Sequence, residues 1–244
     1  MIGVGSAPEN VMGLPDMNLE PQPKWVIAGG CCLAFLSAAV NAGFLIELGT
    51  SVSHLTGDVS RVAMEALRGN GSGASGALYL FVATVGFLLG ATVSGYFIHH
   101  PTVEFSRPYG RAVTSIGTCL VLAHFTLGNW PVAAIGFGSF ACGLQNALAT
   151  HYRGMILRTT HVTGLLTDFG TNLGMRFKGH QIARWKLLVP MLLVLSFFGG
   201  ALFGSILNRW QPLSFLLILG AIYIAVGIGW TSYKRLLHGT ATDQ

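Results

Sequence analysis

"SVSHLTGDVS" (51–60) follows one apolar stretch of the chain, and "RTTHVTGLLT" (158–167) follows another about a hundred residues later. Both carry Ser/Thr-His-apolar-Thr-Gly, and both come after an Asn-Ala pair, Asn41-Ala42 and Asn146-Ala147. Ser53-His54-Leu55-Thr56-Gly57 aligns with Thr160-His161-Val162-Thr163-Gly164 at an offset of 107. The next apolar stretch continues the match: "LLGATVSG" (88–95) faces "FGGALFGS" (198–205), with Gly90-Ala91 against Gly200-Ala201 at an offset of 110. Three matches in one order at a nearly constant offset read as an internal duplication. The motif is written twice because the fold is built twice.

Composition says what kind of fold is duplicated. Of 244 residues, 52% are hydrophobic and 9% are charged, against about 25% charged in a soluble domain. The mean hydropathy is +0.59 over the whole chain. A helix needs roughly 20 apolar residues to cross a bilayer. Six segments fit: 25–48, 77–98, 112–127, 130–149, 187–207 and 212–230. Glu47 is the one Asp, Glu, Lys or Arg inside them. The third is short, and Arg111 at its start can snorkel to the interface. These are continuous apolar runs, which excludes the apolar/polar alternation of a membrane β-barrel.

Each half then holds three spans. Three is odd, so the second half enters the membrane from the opposite side, as in the inverted repeats of secondary transporters. The expected fold is an all-α polytopic membrane protein with six main transmembrane helices in two inverted-topology three-helix repeats. A disordered tail is expected at 1–23, the first repeat at 24–128, the second at 129–235 and a C-terminal tail at 236–244. The third spans of the two halves, 112–127 and 212–230, match in position alone.

The net charge of +5 is a topology signal and not a nucleic-acid footprint. Given six spans, eleven of the fourteen Lys and Arg fall on one side, and Arg61, Arg68 and Arg209 on the other. The positive-inside rule then places both termini in the cytoplasm of a multi-pass plasma (bacterial inner) membrane protein. No secretory signal pattern opens the chain: residues 1–23 hold no Lys or Arg. Cys31, Cys32, Cys119 and Cys142 all fall in apolar spans and read as small hydrophobes. No cysteine pair has zinc-site spacing with histidines, and His99, His100, His151 and His180 repeat no ligand pattern. No metal and no cofactor is expected.

A short helix is expected behind each motif. Val59, Val62, Ala63, Ala66 and Leu67 recur at helical spacing, with Arg61 and Glu65 placed for an i,i+4 pair, before a Gly-rich linker at 69–76. After the second motif, Leu165, Leu166, Phe169 and Leu173 share one side, and Thr167, Asp168, Thr171 and Asn172 much of the other. About 12 residues make roughly 18 Å of helix, too short to span. Each helix should be entered through its Thr-Gly turn, lying in the interface or dipping into the membrane. Helix N-termini offer free N–H donors and partial positive charge. Two such ends brought from opposite faces make a polar spot between the halves.

"SHLTGD" after "NAGFLIELG", and "GLQNALATHYRGMILRTTHVTGLLTDFG", resemble the two signature blocks of the YoaK-like membrane proteins, the domain-of-unknown-function 1275 family. The resemblance covers most of residues 30–235 and is most specific in the second block. In the first block Asn41 stands where the family pattern has Asp, and Asp58 follows Thr56-Gly57 where it has Asn. The resemblance implies a multi-span inner or plasma membrane protein and supplies no substrate.

The candidate substrate-binding residues are Asn41, His54, Thr56, Gly57, Asp58, Gln145, Asn146, His161, Thr163, Gly164 and Asp168. His54 and His161 are suited to relay protons near neutral pH, or to brace each turn by bonding backbone. Asp58, Glu65 and Asp168 are expensive at membrane depth and ordinary at the interface. The amides of Asn41, Gln145 and Asn146 must find partners inside apolar spans, either other helices or a solute. Gly86-Gly90-Ser94 and Ser196-Gly200-Gly204 form small-residue ridges for close packing, within the chain or in a homo-oligomer.

No hydrolase, kinase or P-loop signature is present, and no enzyme activity is expected. The favoured function is a secondary transporter or facilitator of a small polar or anionic solute. The site would lie between the repeats at the Thr-Gly turns, with the lipid bilayer and the solute as partners. The alternative is a non-transporting scaffold or sensor that binds a partner through its Gly-lined faces.

Overall fold

A computed structural model describes residues 24–68, 72–97, 109–148, 159–212 and 214–239. The expected tail at 1–23, together with His99, His100 and His151, lies outside the described residues. All regular structure among the described residues is helical: α1 (Lys24–Leu48), α2 (Leu55–Arg68), α3 (Ser72–Phe97), α4 (Tyr109–Leu127), α5 (Pro131–Leu148), α6 (Val162–Phe177), α7 (Trp185–Trp210) and α8 (Phe215–Gly239).

Five of these helices are long and apolar enough to cross a membrane: α1, α3, α4, α7 and α8. The chain is therefore a polytopic helical membrane protein. α5, expected as a sixth span, is not among the five. It has 18 residues, and Gln145 and Asn146 dilute its apolar character. The short helices are α2 and α6, of 14 and 16 residues.

Two expectations about the short helices need correction. Thr56-Gly57 and Thr163-Gly164 do not precede the helices; they lie inside the first turns, which begin at Leu55 and Val162. Neither glycine is left-handed; Gly49, at φ +63°, is. The break in the first half is thus at the end of α1, where only a residue without Cβ turns without strain. The supposed linker at 69–76 is also partly helical, since α3 starts at Ser72.

The helices pack in three long pairs: α1 with α7, α3 with α5 and α4 with α8. Gly30 faces Leu193, Phe35 faces Gly200 and Ala39 faces Gly204, so α1 and α7 run the same way. α3 and α5 do too, since Gly86 faces Gly136 and Gly90 faces Phe140 and Leu144. α4 and α8 run oppositely: Gly110 meets Gly227, and Gly117 meets Gly220. A Cβ added to either Gly110 or Gly227 would lie 2.6 Å from the other's carbonyl oxygen. Such backbone approach is what small residues permit where lipid supplies no hydrophobic drive between helices.

The like pairs match in sequence position. Gly90 lies on the Phe140 carbonyl, and Gly200 lies on the Phe35 carbonyl. These are residues 110 apart on one side of the contact and 105 apart on the other. The small-residue ridges are therefore filled by the chain's own helices. The main core joins α1, α3, α4, α5 and α8 around Phe44, Leu120, Ile135, Phe215 and Tyr223.

Candidate functional site

The first turn is held by its own half. Asn41, buried on α1, accepts at Oδ1 from the Ser51 hydroxyl (2.7 Å), the Val52 amide (3.1 Å) and the Ser53 amide (3.2 Å). Asp58, buried on α2, accepts at Oδ2 from the Ser51 amide (2.8 Å) and the Thr50 hydroxyl (3.3 Å). Its Oδ1 pairs with Arg61 at 3.1 Å. Arg61 also donates to the Gly49 carbonyl. One carboxylate and one amide thus satisfy a loop that would otherwise strand backbone donors away from water. Arg61 pairs with Asp58, and the expected i,i+4 partner Glu65 has its side chain outside the described residues.

The second turn uses different groups. Asn146 accepts from the Thr160 hydroxyl at 3.1 Å. Gln145 donates to the Leu33 carbonyl of α1 (2.9 Å) and the Thr159 hydroxyl (3.4 Å), and accepts from the Tyr223 hydroxyl of α8. Gln145 and Tyr223 are buried, so this amide ties three helices and a turn together. Where the first half buries Asp58, the second buries Leu165, 107 residues on, against Ala34, Val189 and Leu193.

The two turns meet through His54. Its Nδ1 lies 2.9 Å from the Ser53 hydroxyl. Its ring stands edge-on to Phe197 of α7, with centroids 5.2 Å apart. The ring also hydrogen-bonds the main chain at Thr160 and feels the charges of His161 and Asp58. Burial is the largest influence and pushes His54 below its ordinary 6.5; the Thr160 bond opposes this, His161 lowers it further and Asp58 raises it. Folding therefore favours the neutral ring.

A group depressed on folding resists a proton that the unfolded chain accepts. Stability should be level above pH 6.5 and fall as the pH drops through and below that value. Thermal unfolding of the detergent-purified protein from about pH 8 to about pH 5 checks this. His54→Gln should flatten the acid limb.

The remaining candidates are arranged around this junction without all converging on it. His161 caps α6 with no side-chain cap bond. Thr56, Gly57, Thr163, Gly164 and Asp168 are exposed. On α6, Asn172 donates to the Asp168 carbonyl at 2.7 Å. Glu47 accepts from Asn208 of α7 at 2.8 Å, which joins the matching ends of two parallel spans. The four cysteines are free thiols, and the described residues hold no metal-binding group of three or more His, Cys, Asp or Glu. An open groove of about 460 Å³ between α3, α4 and α5 is lined by apolar residues, among them Phe81, Val85, Leu89 and Phe137, and shares none with the turns.

Sequence reasoning missed Thr50, Ser51, Arg61, Thr159, Phe197 and Tyr223 as parts of this network. Tyr223 had a readable signal: a tyrosine in mid-span needs a partner for its hydroxyl. The clamp on Ser51 had a weaker one, the reversed Asn and Asp at positions 41 and 58. Both positions grip that serine, one at its hydroxyl and one at its amide.

A bundle of membrane-crossing helices with buried polar turns defines the chain as a multi-pass membrane protein. It belongs to the family described as "Protein of unknown function (DUF1275)", whose model matches residues 29–229. It is similar to UPF0700 transmembrane protein RA0705 of Rhizobium meliloti (strain 1021), with 28% identity over 208 residues, covering 82% of this chain and 87% of that protein. No solved structure matches.

Proposed function

We propose that this protein is a secondary transporter or facilitator of a small polar or anionic solute. Its site lies where the two turns meet between two inverted three-span repeats. The contact of His54 with Thr160 carries this reading, because it joins the same motif from the two halves at a half-buried polar junction. Irregular backbone at membrane depth is tolerated only when packed in protein or lining a wet cavity. The helix directions support the inverted plan: with α5 as the sixth pass, strict alternation makes α1 and α7 parallel, α3 and α5 parallel, and α4 and α8 antiparallel. The glycine contacts have those directions.

Asn41 and Asp58 serve in this reading as the frame of the first turn, since their oxygens are occupied by the loop. Solute contact then falls to His54, His161 and the Thr-Gly helix starts. Short helix α2 supports a membrane setting, because Val59, Met64 and Leu67 on it are exposed while Asp58 is buried. A helix on a water-soluble protein would bury the reverse face. The expected location is the bacterial inner membrane with both termini in the cytoplasm. The scaffold alternative needed free glycine faces, and those at Gly86, Gly90, Gly200 and Gly204 are occupied within the chain.

Cysteine reporters test the reading. In a chain with Cys31, Cys32, Cys119 and Cys142 replaced, Thr56→Cys and Thr163→Cys should react in membranes with an impermeant thiol reagent. Each should react from opposite sides in different conditions. Complete protection of both in every condition would overturn the water-accessible site.

A further inference from the structure

We propose that the corner between α6 and α7 is a binding site for the phosphate of an anionic phospholipid headgroup. α6 ends at Phe177 in a built turn: Lys178 N–H bonds the Gly174 carbonyl (3.1 Å), Gly179 N–H the Arg176 carbonyl (3.0 Å) and His180 N–H the Met175 carbonyl (3.1 Å). Gly179 has φ +94°, which this stop requires of a residue without Cβ. The turn puts Arg176, Lys178 and His180 on one corner, and Arg184 and Lys186 follow where α7 begins.

Arg176, Lys178, His180 and Arg184 are exposed. None of Arg176, Lys178, Arg184 and Lys186 makes an ion pair among the described residues. The sequence holds no Asp or Glu from 169 to 242. Arginine forks and lysine ammoniums are the groups that hold phosphate. Clusters of four or more at the end of a membrane helix attract anionic headgroups.

Two apolar anchors put this charge at the bilayer surface. Phe177, between Arg176 and Lys178, is 79% exposed. Trp185 opens a span whose other end is Trp210, and Lys186 stands 5.7 Å from the Trp185 ring centre. Tryptophan at span ends marks the headgroup level. The repeated fold does not demand the charge. The equivalent corner after α2 reads "LRGNGSGASG" (67–76), with Arg68 as its one cation.

The test is thermal unfolding of the detergent-purified full chain with added short-chain phosphatidylglycerol or phosphatidylcholine. Phosphatidylglycerol should raise the midpoint and phosphatidylcholine should not. R176Q/K178Q/R184Q/K186Q should lose the difference, with apparent affinity falling about fivefold per charge removed. R176K/R184K should keep it. In the unmutated chain alone, salt near 1 M should erase the preference. A purely topological role for these cations predicts equal response to both lipids, and that result overturns the proposal. So does a preference that survives in the quadruple variant or in high salt. An equal shift from inorganic phosphate alone would overturn the assignment to lipid.

Discussion

Gly200→Ala and Gly90→Ala should each abolish recovery of folded protein, while Gly229→Ala should not. One methyl is the smallest addition possible, yet at Gly200 it falls on the Phe35 carbonyl and at Gly90 on the Phe140 carbonyl. Both obstacles are backbone in a neighbouring helix, so no rotamer relieves them. Overpacking a core commonly costs about 1–3 kcal/mol. Here whole helices must separate along their length, and the expected cost is at or above the top of that range. Gly229 on α8 has nothing within 4 Å of an added Cβ. Alanine there removes chain entropy from the unfolded state and should stabilise by a few tenths to about 1 kcal/mol. Monodispersity and unfolding midpoint in detergent read all three. Equal losses at positions 90 and 200 are expected because the two glycines meet like obstacles, a phenylalanine carbonyl on a parallel helix of the other half.

The second large effect concerns the clamp on the first turn. Asp58→Ala removes the acceptor for the Ser51 amide and Thr50 hydroxyl and leaves Arg61 without its carboxylate. Breaking a buried pair costs about 3–5 kcal/mol. The Arg61 side chain is 35% exposed, so water recovers part of its charge and about 2–3 kcal/mol is the better figure. A more discriminating experiment exchanges the two positions. Asn41→Asp alone sets a second carboxylate on Ser51 beside Asp58 and should destabilise. Asn41→Asp with Asp58→Asn restores one carboxylate and one amide around the same serine. The double variant should be more stable than the sum of the singles by about 1–2 kcal/mol. Additivity would mean that the two side chains do not share the loop.

Much of this architecture is legible in the residues. The offset of Gly90 and Gly200 announces two like helix contacts, and the apolar runs locate the six long helices, although α3 starts five residues before its run and α8 continues nine residues past its own. Partner choice is not legible, because pattern reveals a small-residue ridge but not which helix fills it. The third spans looked alike only in position, yet each has two glycines seven apart, Gly110 and Gly117 against Gly220 and Gly227. Those four residues form the α4–α8 crossing. α5 carries two amides that dilute its apolar character, and both have structural partners: Gln145 joins α1 and α8, and Asn146 holds Thr160.

The meeting of the two turns was legible in place, and the parts their residues play in it less so. The repeated histidines marked the junction, and His54 does reach the opposite turn. Asn41 and Asp58 looked equally available to a solute. Their roles depend on a loop conformation set by Gly49 and Ser51, which no helical or strand period encodes. The amphipathic reading of α2 was correct in period; the structure adds that its carboxylate side, and not its apolar side, packs inward.

The most direct measurement is cross-linking between the two turns in native membranes. In a background without the four native cysteines, His54→Cys/Thr160→Cys would be treated with a short bis-thiol reagent. Glu47→Cys/Asn208→Cys, whose native side chains touch at 2.8 Å, is the control that shows the bundle is intact. The account predicts an intramolecular cross-link in both pairs. A cross-link in the control pair with none between positions 54 and 160 would contradict it, because the two halves would then not bring their repeated turns together.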